Sequence, residues 1–201
     1  MSGVCFEVPA IDRAKLVAIA TDLRAALQIR EPFFPILEVV EFAFPKLWPE
    51  FCLTVGEMAE MGDNHGLTFI DRSEIRLRVD VYHGVEKKKG RDRLTLAHEV
   101  GHFLLHNNPG YARAARNSAD IPAYRSSEWQ ANAFAGALLM PIEFLRTATS
   151  LREVAEICGV TSDAAETQTR GLARAGLLNN SALTEIGISR KRKGDHGGSP
   201  S

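Results

Sequence analysis

The stretch from residue 91 to residue 106 reads RDRLTLAHEVGHFLLH. It is apolar on nearly every side, a pattern typical of a buried central helix. Two histidines and a glutamate inside such a helix need an explanation, because a buried polar side chain without a partner is costly. The fold must therefore provide partners in the interior for His98, Glu99 and His102.

These three residues form the pattern H-E-x-x-H. Residues four apart lie on one face of a helix, so the imidazoles of His98 and His102 can reach the same ion. Glu99 lies beside that face, where its carboxylate can reach a water molecule at the metal. The spacing predicts a zinc-type site with Glu99 as the catalytic base.

Two histidines do not complete a catalytic zinc site, which needs a third protein ligand. His106 lies eight residues after His98, roughly 12 Å along the helix axis, which is too far to share the ion. The metzincin pattern would place its third histidine where this sequence has Asn108. Glu128, near the start of the next strong helix, is the better candidate. Asn132, one turn later, could bond the far nitrogen of a ligating histidine and fix its tautomer.

Hydrophobic periodicity and turn signals outside this motif predict an α+β fold that is mostly helical. Helices are predicted at 9–29, 36–44, 91–106, 127–140, 151–157 and 162–175. Strands are predicted at 51–55, 66–70 and 74–82, the last two as an antiparallel hairpin, followed by a charged loop at 86–93. Small residues should let the metal-motif helix and the next helix approach closely: Gly101 on one, and Ala131, Ala135 and Gly136 on the other.

Length and composition limit the classes of protein to consider. A chain of 201 residues and 22.1 kDa suits one ordinary domain, and a net charge of -1 gives no case for a dedicated nucleic-acid or membrane binder. Three widely spaced cysteines exclude a disulfide framework. From the absence of signal-peptide and membrane-span patterns in these residues, we expect no secretory leader, no membrane span and a cytoplasmic protein. The expected division is a peptidase core at 1–148, a helical segment at 149–186 and a disordered basic tail at 187–201.

Residues 93–106 and 128–141, taken together, resemble the ImmA/IrrE family of metallo-endopeptidases. The resemblance covers roughly residues 9–180. It implies a zincin-like core with a small antiparallel sheet, plus a helical extension similar to a helix-turn-helix. It also implies His98, His102 and Glu128 as ligands of Zn²⁺, with Mn²⁺ as an alternative in the cell, and Glu99 as the base.

The family resemblance further implies a cytoplasmic protease that cleaves a helix-turn-helix transcriptional repressor encoded nearby, in a mobile element, prophage or stress response. Residues 155–161 resemble the turn of a helix-turn-helix. The following helix, however, has Asp163 and Glu166 early and its cations late, which makes a poor face for DNA phosphates. We therefore expect this helix to pack or to dock a partner rather than to bind DNA.

Several alternatives stay open at this point. The chain could be a non-proteolytic regulator, or a component of the toxin–antitoxin type, that binds a repressor or DNA; the intact Glu99 favours the protease. Tyr111, Tyr124 and Arg125, in the long segment before residue 127, are candidates for stabilising an oxyanion. The predicted strand 74–82 could offer an edge to an extended substrate, or it could be an ordinary core strand.

Overall fold

The computed structural model of the protein describes residues 5–106, 113–114 and 121–179. Its α-helices are α1 (Arg13–Ala26), α2 (Ile36–Glu38), α3 (Phe44–Leu47), α4 (Met58–Met61), α5 (Val79–Glu86), α6 (Gly90–Leu105), α7 (Ser127–Leu139), α8 (Ile142–Leu145), α9 (Leu151–Cys158) and α10 (Ser162–Arg174). Its strands are β1 (Phe6–Glu7), β2 (Cys52–Gly56), β3 (Gly66–Phe69), β4 (Glu74–Arg78) and β5 (Arg113–Ala114). None of the described helices is long and apolar enough to cross a membrane.

The fold is α+β, mostly helical and zincin-like, as predicted. Three strands form one sheet in the order β2-β4-β3, and β1 pairs with β5. The predicted β3–β4 hairpin is confirmed, with Thr68 opposite Ile75. The sheet is nevertheless mixed rather than antiparallel, because β2 runs parallel to β4 after the chain returns through α4 and β3. Of the two alternatives for 74–82, the ordinary core strand holds, because β4 is the central strand; the edges of this sheet are β2 and β3.

The predicted strand also ends earlier than expected, at Arg78, and α5 follows at once. Val81 and Val85, one helical turn apart, are both buried on the inner face of α5. Asp80 lies in the first turn of α5, where an acidic group suits the helix dipole, and its carboxylate pairs with Arg78 at 2.7 Å. The charged loop is correspondingly shorter than predicted, because α6 begins at Gly90.

The helix predicted at 36–44 does not end before Pro45. A helical path runs from Ile36 to Leu47, with a π-helical turn at Val39–Ala43 between α2 and α3. Phe44 N donates to Val39 O, five residues back. This wider turn shifts the carbonyls that the ring of Pro45 would otherwise meet in a regular α-helix, so the path continues.

Helix α6 lies at the centre of the molecule and packs against α5, α7 and β3. Nine of its residues are buried, in agreement with the predicted central helix. A Cβ at Gly101 would lie 3.0 Å from Ala131 Cα, so α6 and α7 meet at their backbones as expected. Gly136 has another role, since a Cβ there would lie 2.6 Å from Gln168 Oε1 on α10.

Two buried arginines join separate parts of the core by bonding backbone carbonyls. Arg24 of α1 donates to Leu138 O at 2.8 Å, near the end of α7. Arg93 of α6 donates to Gly159 O and to Phe34 O, both at 2.9 Å. These carbonyls include groups that a helix end leaves without an internal partner. The Arg93 bonds fix α9 against the core, and burial lowers the pKa of Arg93 to about 10.

The close contact at Gly101 predicts a stability effect. Gly101→Val should lower the free energy of unfolding by about 1–3 kcal/mol, because the added methyl groups must push α7 away. Ala18→Val, at an exposed position of α1, is the matched control and should cost no more than about 0.5 kcal/mol. Denaturant unfolding in the presence of a metal chelator measures the free energy of unfolding of both variants without bound metal. Equal costs would contradict the close-packed contact.

Candidate metal centre

Three side chains that the sequence predicted to act together converge between α6 and α7. His98 and His102 lie one turn apart on α6, and Glu128 lies in the first turn of α7. The Ser126 side chain caps α7 by accepting from Trp129 N, which sets the position of Glu128. Of the described residues, His98, His102 and Glu128 are the one group whose ligand atoms all lie within 4.8 Å of one another.

The distances among these atoms suit a tetrahedral ion. His98 Nε2 and His102 Nε2 lie 3.0 Å apart, and the Glu128 oxygens lie 3.4 Å from His98 Nε2 and 3.2 Å from His102 Nε2. Ligand atoms bound about 2.05 Å from one tetrahedral zinc would be about 3.3 Å apart. Two imidazoles and one carboxylate also form a known catalytic zinc set. These residues therefore fit a zinc ion.

The electrostatics of the cluster favour a cation. Burial alone would raise the pKa of Glu128, but hydrogen bonds and charge from His102 and His98 hold its pKa well below the usual range. Burial likewise opposes protonation of His98, yet Glu128 and Glu99 outweigh it and the pKa of His98 is raised. Glu128 is thus a carboxylate at neutral pH, the form in which it can bind a metal.

Asn132 lies where the sequence placed it, beside His98. Asn132 Oδ1 lies 3.0 Å from His98 Nδ1. An amide oxygen can only accept, so His98 carries its proton on Nδ1 when neutral. The lone pair of His98 is then on Nε2, which faces Glu128 and His102. Asn132 therefore orients His98 toward the cluster.

His106 lies outside the cluster of ligand atoms but contacts it from behind. Its Nδ1 is 3.0 Å from His102 Nδ1, the ring nitrogen that points away from Glu128. Burial, with a smaller contribution from His102, lowers the pKa of His106 to about 4. The distance along the helix excluded His106 as a ligand, and its contact with His102 was not predicted. The four-residue spacing from His102 was the available signal.

Glu99 is buried and lies next to the cluster rather than in it. Thr68 Oγ1 of β3 donates to Glu99 Oε2 at 2.7 Å. On the other side, a Cβ at Gly66 would come within 2.9 Å of Glu99 Oε1 and 2.7 Å of its Cγ. Strand β3 therefore fixes one carboxylate oxygen with a hydroxyl and leaves space beside the other with a glycine.

The oxyanion candidates stay predictions. The Tyr124 side chain is exposed, and its backbone carbonyl accepts from Ile11 N at 2.9 Å. Arg125 pairs with Glu7 at 2.9 Å, so its guanidinium has a partner outside the cluster. Tyr111 lies outside the described residues.

Comparison with known proteins gives one family match. The family described as IrrE N-terminal-like domain, Peptidase_M78, matches residues 62–165, just over half of the chain. The matched region contains His98, Glu99, His102 and Glu128 together with β3 and β4. No curated protein matches the chain.

The geometry predicts the effect of losing the carboxylate. Glu128→Ala should weaken zinc binding at least about 100-fold, because one of three protein ligands is gone. Glu143→Ala, an exposed first-turn glutamate of α8, is the matched control and should bind zinc like the wild type. Chelator competition gives the affinities. Wild-type affinity in Glu128→Ala would remove Glu128 from the site.

Proposed function

The chain belongs to the IrrE N-terminal-like domain family of peptidases, and we propose that it is a zinc-dependent endopeptidase that cleaves a helix-turn-helix transcriptional repressor. The observation that supports the zinc chemistry best is the convergence of His98, His102 and Glu128 with Glu99 beside them. The family implies a protein substrate. The repressor is the expectation that the resemblance to ImmA/IrrE proteases adds.

In the proposed mechanism His98, His102 and Glu128 hold the ion. A bound zinc ion supplies Lewis acidity, which makes water more acidic and polarises the scissile carbonyl. Glu99 takes the proton of the attacking water on Oε1, the oxygen next to Gly66, and delivers it to the leaving amine. Thr68 holds the other oxygen of Glu99, so the carboxylate keeps its direction during both proton transfers.

The position of β3 suggests how an extended substrate would be seated. β3 ends the three-stranded sheet in the described part of the chain, and its Gly66 and Thr68 both contact Glu99. A peptide that paired with this edge by main-chain hydrogen bonds would pass beside the base. We therefore propose that the substrate pairs with β3, and not with the strand at 74–82 that was one of two alternatives.

The C-terminal helices favour a protein partner over DNA as their target. α10 buries one face in the core through Ala165, Thr169 and Leu172. Early in this helix Asp163 is exposed, and Arg170 pairs with Glu166 at 2.7 Å. Phosphate binding needs unpaired cations, and this face begins with an acid. A non-proteolytic regulator that binds a repressor, a toxin–antitoxin-type component or a DNA binder stays the alternative.

A cleavage experiment tests the proposed activity. The zinc-loaded protein should cleave sites in a peptide library and in the helix-turn-helix repressors encoded beside its gene. Glu99→Gln keeps the shape of the side chain but cannot take a proton. It should cut at least about 100-fold more slowly while retaining its zinc.

Two outcomes would contradict the proposal. Equal cleavage by Glu99→Gln would remove Glu99 as the base. A wild-type protein that relieves repression in co-expressing cells while leaving every neighbouring repressor intact would establish the non-proteolytic alternative. Cleavage of library peptides but of no neighbouring repressor would keep the peptidase and reject only the repressor as substrate.

Gly66→Ala should reduce kcat about 100-fold, because the new methyl group displaces the Glu99 carboxylate. Zinc affinity is the internal control and should stay unchanged, since the three heavy atoms nearest to the added Cβ all belong to Glu99 and none to a ligating side chain. Steady-state kinetics on a peptide from the library measures kcat. An unchanged kcat would show that Glu99 does not need this space.

A further inference from the structure

Two buried polar side chains, Gln130 and His106, form a hydrogen-bonded series that leads from the backbone to His102. His106 Nε2 lies 3.1 Å from Gln130 Oε1, and His106 Nδ1 lies 3.0 Å from His102 Nδ1. Gln130 is completely buried, and His106 is buried as well. Neither Gln130 nor His106 takes part in the proposed mechanism. A buried polar network in which each group has a partner holds its members rigidly in place.

The contacts of Gln130 with two backbone carbonyls determine the direction of each hydrogen bond in this series. Gln130 Nε2 lies 2.8 Å from Pro9 O and 2.8 Å from Tyr124 O. Two carbonyl oxygens can only accept, so the amide nitrogen of Gln130 faces them and Oε1 faces His106. Because Oε1 also only accepts, His106 carries a proton on Nε2.

The last hydrogen bond in the series joins His106 to His102. A neutral His106 with its proton on Nε2 offers a lone pair on Nδ1 to His102. His102 Nδ1–H then donates to it, which leaves the lone pair of His102 on Nε2. That atom lies 3.2 Å from Glu128 and 3.0 Å from His98 Nε2. Both histidines of the cluster are thereby oriented the same way, His98 by Asn132 and His102 by His106.

We propose that His106 and Gln130 are positioning residues that fix the tautomer and ring direction of His102 for metal binding. The proposal rests on the assignment of His98, His102 and Glu128 as metal ligands. It also gives the N-terminal segment at Pro9 and the turn at Tyr124 a connection to the metal centre. Neither contact could be predicted from the H-E-x-x-H pattern alone.

Zinc affinity of two His106 variants tests the proposal. His106→Leu removes the acceptor, whereas His106→Asn keeps an oxygen near the place of Nδ1. His106→Leu should bind zinc about 10–100-fold more weakly than the wild type, and His106→Asn should recover most of that loss. Melting temperatures in chelator control for folding. Unchanged affinity in His106→Leu, or an equal loss in both variants, would overturn the proposal.

A second pair keeps the test decisive if His106→Leu does not fold. Gln130→Glu and Gln130→Met both lose the bonds to Pro9 and Tyr124, but only Gln130→Glu keeps an acceptor for His106. Zinc should bind more tightly to Gln130→Glu than to Gln130→Met, and equal affinity would count against the proposal. Imidazole ¹⁵N spectra of the zinc-loaded wild type should show protons on Nδ1 of His102 and Nε2 of His106. The opposite pattern would also overturn it.

These results separate the inference from the proposed function. A wild-type protein without zinc affinity would remove the metal centre itself. A wild type that binds zinc and cleaves peptides, with a His106→Leu variant of equal affinity, would leave the peptidase intact and reject only the positioning role.

Discussion

The close approach of α6 and α7 at Gly101 and Ala131 is the contact on which the candidate site depends. A Cβ at Gly101 would lie 3.1 Å from the backbone oxygen of Ala131, so the two helices meet with almost nothing between them. Only because the two helices lie this close can the carboxylate of Glu128 on α7 reach the imidazoles of His98 and His102 on α6. Asn132, which bonds His98, and Gln130, which bonds His106 behind His102, also come from α7. One helix pair thus supplies both the cluster and its support.

The remaining elements hold this helix pair in place and position the carboxylate of Glu99. α1 packs against α7, and Arg24 bonds a carbonyl near the end of α7. Arg93 bonds the end of α9 and so joins the C-terminal helices to α6. β3 brings Thr68 and Gly66 to Glu99. Buried arginines are tolerated here because their charges bond several carbonyls that would otherwise lack partners.

Local signals in the sequence were sufficient for the helices of the site and for the spacing of His98, Glu99 and His102. These signals failed over short stretches whose hydrophobic pattern fits both a strand and a helix. Residues 79–82 alternate as a strand would, yet the burial of Val81 and Val85 selects a helix, and that choice depends on β4 turning into the core. The helical path continues through Pro45 because of a π-helical turn, which amino-acid propensities do not predict. The contact of Gln130 with His106 joins two helices, so only the packed structure reveals it.

The central claim is that two imidazoles and one carboxylate from α6 and α7 hold a single zinc ion. X-ray absorption spectroscopy at the zinc edge of the loaded protein tests this most directly. A zinc ion held by His98, His102 and Glu128 should show a first shell of nitrogen and oxygen at about 2.0–2.1 Å, with multiple scattering from two imidazoles. Scattering from a third imidazole, or from sulfur at about 2.3 Å, would contradict it by bringing His106 or a cysteine into the site.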